Sequence, residues 1–275
     1  MGSKKLKTKD IIFMAVMWLL ALMMLYPFIM MVAISFRPSG QAYQPLFASG
    51  ITHTLRSYKQ VLSHPNFVDW YRNTIVTVVV TIVIRLVITI LAAYSFSRLN
   101  FKGKRLILAF LVATMMVPGE TTMVPRYLYF KEIGILNTLW SIVLPEASEV
   151  FYLILLIEFF SSIPGDFTEA ATIDGAGHLT ILTRIFIPLS GPAIATTVLF
   201  SFINIWNNYL DPYLFINNIE TQLITPALQF FQEQGGANMP VQMAGSALAL
   251  IPVIILFVFT QKYFVQGVAS SGIKG

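Results

Sequence analysis

Cysteine is absent from the chain, which excludes a disulfide framework and any thiolate metal site. Charge is scarce: Asp, Glu, Lys and Arg together make up 11% of the 275 residues, against about 25% in an average soluble protein. So few charges cannot coat a water-exposed surface, and no stretch reads as a separate polar domain. Histidine is limited to His53, His64 and His178, all in loops. None has metal-ligand spacing or a nucleophile–base set around it. A phosphate-cradling P-loop is also missing. Its nearest approach, Gly103-Lys104-Arg105, lacks the first glycine and the terminal hydroxyl.

What the chain has is long apolar runs. Hydrophobic residues make up 56% of the sequence, and mean hydropathy is +0.72. Six stretches, 11–36, 73–97, 106–124, 139–160, 193–215 and 241–264, match the roughly 20 apolar residues that carry a helix across the hydrocarbon. The runs are continuous, not alternating, which argues against a β-barrel. The expectation is a single transmembrane domain over 1–275, an all-α integral membrane protein with about six transmembrane helices. The first run exceeds the roughly 7–15 residues of a signal-peptide core, so it reads as a retained span.

The net charge is +5, and its placement reports orientation. With the N-terminus inside, the inner segments hold 11 Lys and Arg and the outer segments 6, with Arg85 inside a helix. The positive-inside rule then puts both termini in the cytoplasm, and nothing in this pattern points to nucleic acid.

The longest inner loop, 161–190, reads SSIPGDFTEAATIDGAGHLTILTRIFIPLS. Pro164-Gly165-Asp166 stops one helix and caps another, with Asp166 and Thr168 as N-cap candidates. Gly175-Ala176-Gly177 breaks that second helix, and an amphipathic segment follows and ends at Pro188. The spacing predicts a short helix, a glycine turn and a second short helix, a build that suits docking. Ala170 and Ala171 allow close approach, Glu169 offers a charged anchor, and Gly175 and Gly177 permit a tight turn.

Glu169-Ala170-Ala171, Gly175, Ile185 and Pro188 resemble the EAA loop of the permease subunits of bacterial ABC importers. The one departure is Ile187, where the family usually has Leu. Asp174-Gly175-Ala176 is typical of the sugar-importing branch. Trp206-Asn207-Asn208 with Pro212, Asn137-Thr138, and the C-terminal stretch from Phe264 to Gly275 are similar to further motifs of the maltose-type permeases. The resemblance covers nearly the whole chain.

It implies the permease subunit of a sugar importer in the bacterial cytoplasmic membrane. Glu169, Ala170, Ala171, Asp174, Gly175, Ala176, Gly177 and Pro188 would couple the chain to a cytoplasmic ATPase. A tail over 265–275, with Gly267, Gly272 and Lys274, would reach the same ATPase. The implied partners are a second homologous permease, two ATPase subunits, an extracytoplasmic substrate-binding protein, the sugar and membrane lipid. No cofactor is expected on this chain; ATP and Mg belong to the ATPase. ATP-driven closure would switch access, and the chain itself would do no covalent chemistry.

Polar residues inside the apolar runs give the remaining candidates. Arg85 lies near the middle of the second run, and depth counting sets Glu149 level with it. The two readings are an Arg85–Glu149 pair and an Arg85 that faces the pathway toward an anionic solute. Thr197, Ser201, Asn204, Asn208 and Asp211 recur at steps of 4, 3, 4 and 3, which places them on one helical face. Asn207 and Trp206 lie beside that face. The stripe reads either as a wall of a polar route for a hydroxylated solute or as interhelical hydrogen bonding. Pro118-Gly119-Glu120 and Pro125 predict a bend in the third run, with Glu120 facing a cavity and Glu146 a weaker candidate. The loop 216–240, with Gly235-Gly236 at its tip, is placed to meet the binding protein. The competing class is an ion-coupled secondary transporter or channel that uses Arg85 and the carboxylates; no internal repeat supports it.

Overall fold

The computed structural model describes residues 8–45, 47–233 and 238–271, with side chains over 9–45, 47–231 and 238–261. The described residues form helices and turns and no strand. In chain order the helices are α1 (Thr8–Ser35), α2 (Arg56–Leu62), α3 (Phe67–Arg98), α4 (Lys104–Thr114), α5 (Met123–Glu132), α6 (Trp140–Ala147) and α7 (Val150–Ser162). There follow α8 (Asp166–Ile173), α9 (His178–Ile181), a π-helical turn (Leu182–Phe186) and α10 (Ile187–Leu189). The last are α11 (Gly191–Asn207), α12 (Leu210–Phe215), α13 (Ile224–Ala227), α14 (Phe230–Glu233) and α15 (Met239–Ser271).

Length and apolarity qualify three helices as membrane spans among the described residues: Lys9–Ser35, Phe67–Arg98 and Met239–Gln261. Two bent pairs bring the number to five if each is one crossing. They are Lys104–Thr114 with Gly119–Glu132, bent by 90°, and His178–Leu189 with Gly191–Asn207, bent by 76°. The bend after α4 falls at Pro118-Gly119, as the sequence predicts. The run 139–160 is two helices and not one rod. Pro145 lies inside α6, and Glu149 is extended (φ −68°, ψ 121°) before α7 starts. The run 193–215 is divided too, because Asn208 is extended (ψ 112°) between α11 and α12.

The chain forms two compact units. One comprises 1–67 and 228–251, the other 68–227 and 252–275. In the first, α1 has none of its apolar window buried and exposes Trp18, Met23, Met24 and Phe13 alike. A helix apolar on every side belongs in lipid or against other helices. In the same unit Arg37 is buried and donates to the Gln44 carbonyl at 2.6 Å, and His64 meets the Phe231 ring edge-on.

Two apolar cores stand out among the described residues of the second unit. One packs Ala93, Tyr94, Leu156, Phe160, Ile181 and Phe186 at the end of α3. The other joins Phe130, Ile142, Phe215, Ile216 and Leu223. At the start of α3, Trp70 Nε1 donates to the Ile219 carbonyl (2.6 Å) and Asn73 Nδ2 to that of Glu220 (2.8 Å). The Ile224 N–H donates to Thr74 Oγ1 at 2.8 Å.

Asn137, singled out in the sequence beside Thr138, has φ +61°. Its N–H donates to the Phe215 carbonyl at 2.9 Å, and its Oδ1 accepts the Asn217 N–H at 2.6 Å. Asn tolerates this left-handed conformation and ties it down. Asn137→Ala is expected to cost about 2 kcal/mol from strain plus the lost bond. Asn137→Gly should cost less, and thermal unfolding of the purified protein compares the two.

Candidate functional site

The break between α6 and α7 deprives nearby backbone carbonyls of their regular i+4 donors, and Arg85 fills that gap. Its Nε donates to the Glu146 carbonyl at 2.9 Å, and its Nη2 donates to the same carbonyl. Nη2 also meets Glu146 Oε2 at 3.0 Å and Glu149 Oε2 at 3.4 Å. Nη1 donates to Ser201 Oγ at 2.6 Å, and the guanidinium lies 4.0 Å over the Tyr152 ring. Arg85 is 0% exposed, so it does not face a pathway. Glu149, expected as its partner, is the more distant carboxylate, and Glu146 takes the shorter contact. Depth counting along a straight helix misses this, because the extended Glu149 resets the helical phase between the two.

Around that network lies a cavity of about 520 Å³, where three interrupted helices converge. The break after α11 supplies Asn204, Asn207, Asn208 and Asp211; the α6–α7 break supplies Glu146 and Glu149. The bend before α5 supplies Gly119, Thr122 and Arg126. Irregular backbone at membrane depth is tolerated where it lines such a space. Asn208 Nδ2 donates to Glu146 Oε1 at 3.1 Å, and Asn204 Nδ2 donates to Tyr152 Oη at 3.0 Å. Arg126 grips Asp211 with two bonds, 3.2 and 3.3 Å.

The polar stripe is therefore divided. Asn204, Asn208 and Asp211 line the cavity, and Asn207, three residues after Asn204 on the same helix, joins them. Thr197 and Ser201 are buried. Thr197 Oγ1 donates to the Ala193 carbonyl at 3.0 Å, and Ser201 accepts from Arg85. Trp206 does not line the cavity either. It is buried, stacked on Phe202 at 5.3 Å and edge-on to Tyr71. Glu120 is exposed in the 3₁₀ turn Gly119–Thr122, and it is its neighbours Gly119 and Thr122 that line the cavity. Arg126 and Tyr152 escaped the sequence reading. Arg126 follows Pro125 in the bent segment, yet its partner is 85 residues away.

A second surface forms over 161–190. Helix α8 is held on the apolar core at the end of α3. Arg98 Nη2 donates to the Phe160 carbonyl (2.6 Å) and to that of Ile163, and its guanidinium lies 4.8 Å over Phe186. Tyr94 Oη and His178 Nδ1 are 3.2 Å apart. Gly175 turns the chain at φ +79°, so the turn expected of Gly175-Ala176-Gly177 relies on the first glycine. Grooves of about 460 and 560 Å³ flank α8 and share Ala171, Asp174 and Ile185. Glu169 and Ala170 face outward, and Ala171 and Ala176 pack against the core. Gly177 caps α9, and Pro188 lies in α10. Phe167 and Ile173, absent from the sequence reading, are 48% and 86% exposed on α8. In the tail, Gly267 lies in the backbone of α15, while Gly272 and Lys274 lie outside the described residues, as do Gly235-Gly236.

Comparison with known proteins places this geometry in a lineage. Among curated proteins, the trehalose/maltose transport system permease protein MalG of Thermococcus litoralis is 32% identical over 266 residues, covering 94% of each chain. The maltodextrin transport system permease protein MdxG of Bacillus subtilis is 32% identical, covering 94% of this chain and 93% of its own length. A crystal structure of a bacterial ABC transporter involved in the import of the acidic polysaccharide alginate superposes with TM-score 0.84 at 28% identity. It covers 95% of this chain and 100% of that one. A bacterial alginate ABC transporter in complex with an alginate pentasaccharide-bound periplasmic protein shares the fold, at TM-score 0.64 and 16% identity over 92% of this chain and 96% of that one. Residues 85–270 match the family described as "Binding-protein-dependent transport system inner membrane component". Homologous along nearly its whole length to transport permeases, this chain belongs to that family and is an inner-membrane permease of the ABC importer class.

Proposed function

We propose that the chain forms one half of the translocation route of an ATP-driven sugar importer. The observation that carries the reading is the cavity of about 520 Å³ at the meeting of three interrupted helices. Its size falls in the roughly 300–1,000 Å³ range of small-molecule sites. Amides and carboxylates on its wall suit a ligand covered in hydroxyls, which both donates and accepts hydrogen bonds. The permease relatives named for maltose, trehalose and maltodextrin favour a sugar.

In this reading the chain crosses the membrane six times with both termini in the cytoplasm. It pairs with a second permease and receives its solute from an extracytoplasmic binding protein. Helix α8, with Glu169 and Ala170 outward, docks on an ATPase subunit that holds ATP and Mg. The chain itself holds no cofactor and performs no covalent step.

The test is uptake of maltose, trehalose and maltodextrins by the complete transporter in proteoliposomes, with and without ATP. An ion-coupled carrier would run without ATP, and that result would overturn the reading. Asn207 is the cleanest probe, since its Nδ2 donates only within its own helix, to the Ile203 carbonyl at 2.9 Å. Asn207→Ala and Asn208→Ala should lower uptake about tenfold, the equivalent of one hydrogen bond to solute, while the complex still assembles.

A further inference from the structure

Resting on the sugar-importer reading, we infer that the cavity selects against acidic carbohydrates and admits uncharged ones, with Glu149 as the group that sets the selection. The two cations near the cavity are both committed to protein acceptors. Arg85 is wholly buried, and each of its three nitrogens has a protein partner. Arg126 is gripped by Asp211, with only 24% of its side chain exposed. Three carboxylates face these two guanidiniums, so with every carboxylate ionised the group carries one excess negative charge. That excess sits on Glu149. Its side chain is 42% exposed, against 17% for Glu146 and 12% for Asp211, and its contact to Arg85 is the longest of the three ion pairs, at 3.4 Å.

A uronate or sugar phosphate entering this space meets an accessible carboxylate, and the guanidinium on the cavity wall, that of Arg126, already has both Nη atoms bonded to Asp211. Anion recognition would need the reverse, a charged donor fork left open to solute. An uncharged sugar meets amide donors and carboxylate acceptors without a charge penalty. The structural relative at 28% identity is named for an acidic polysaccharide. On this inference overall fold does not transmit the sign of the cargo, which follows from how the cavity's charged groups are paired.

The absence of cysteine from this chain makes the cavity charge directly measurable. In the assembled transporter, with any partner cysteines replaced, Asn207→Cys places one thiol on the cavity wall. Its modification rates by a cationic ammonium and an anionic sulfonate methanethiosulfonate are each divided by the rate for a small free thiol. By Coulomb's law in water a unit charge at roughly 6 Å favours the cationic reagent about tenfold in this ratio, and a more distant one less, so the expected ratio lies above one. Adding Glu149→Gln should return the ratio close to one. A ratio at or below one in the Asn207→Cys protein, or a ratio unmoved by Glu149→Gln, overturns the proposal. A second arm offers maltotriose and trigalacturonate to the transporter without binding protein and reads protection of the same thiol. Protection by maltotriose alone is expected; protection by trigalacturonate overturns the selection. If neither protects while the cationic preference holds, the sugar reading of the route fails and the charge assignment stands.

Discussion

Arg85→Met should collapse the permease. The substitution removes a cation that is 0% exposed and leaves Glu146 and Glu149 without their shared partner, 3.0 and 3.4 Å away. It also strips both donors from the Glu146 carbonyl at the α6–α7 break. Removing one member of a buried ion pair costs about 3–5 kcal/mol, a large share of the roughly 5–15 kcal/mol that holds a folded domain. For a chain of this size the melting temperature in detergent should fall by about 10 °C. Arg85→Lys should rescue little, because a point charge cannot reach the carbonyl, Ser201 and two carboxylates from one stem. Glu149→Gln, which keeps an acceptor beside Arg85, should fall far less. A melting temperature for Arg85→Met within about 2 °C of wild type would mean that the break is held by other contacts.

Ile173→Lys should abolish coupling without unfolding the chain. Ile173 ends α8 and is 86% exposed, so the change removes no internal packing. A lysine at a helix C-terminus is favoured by the helix dipole. On the proposed docking face, however, it inserts an ammonium where an apolar side chain would be covered. Loss of an interface hot spot costs about 2–4 kcal/mol, equal to a weakening of roughly thirty- to a thousandfold. ATPase recovered with affinity-tagged permease, and sugar-stimulated ATP hydrolysis, should both drop by at least that lower factor while the melting temperature holds. Glu169→Ala should act in the same direction. Full ATPase recovery with both variants would move the docking site away from α8.

The spans at 11–36 and 73–97 and the last one were legible because lipid imposes long apolar runs, and α1, α3 and α15 follow them. The bend at Pro118-Gly119 was legible from proline chemistry. The interruption at Glu149 was not, because Pro145 stands inside α6 and the break falls four residues beyond it. In the stripe from Thr197 to Asp211, Asn204, Asn208 and Asp211 share one wall on both sides of the break at Asn208. The stripe's upper members went to packing and its lower ones to the cavity. The Arg126–Asp211 pair joins residues distant in sequence, and no local pattern encodes such a contact. On α8 the small residues and the glycine turn were plain in the sequence, whereas the exposure of Phe167 and Ile173 depends on which face the core covers.

Helix α3 runs for 32 residues without an internal proline, a rod of about 48 Å. It is gripped at two places along that length, by the Arg85 network and by the Arg98 clamp on α7 and the π-helical turn. Those grips are 13 residues apart, about 20 Å along the axis, and Thr74 lies about 16 Å beyond Arg85 on the other side. This is the geometry of a first-order lever with its fulcrum at Arg85. Were α3 to pivot there as a rigid rod, a sideways push delivered through Arg98 would return at Thr74 reversed in direction and about four-fifths as large. A 2 Å push at the α8 end would thus shift the Ile219–Ile224 segment, which hangs from Trp70, Asn73 and Thr74, by roughly 1.6 Å the opposite way.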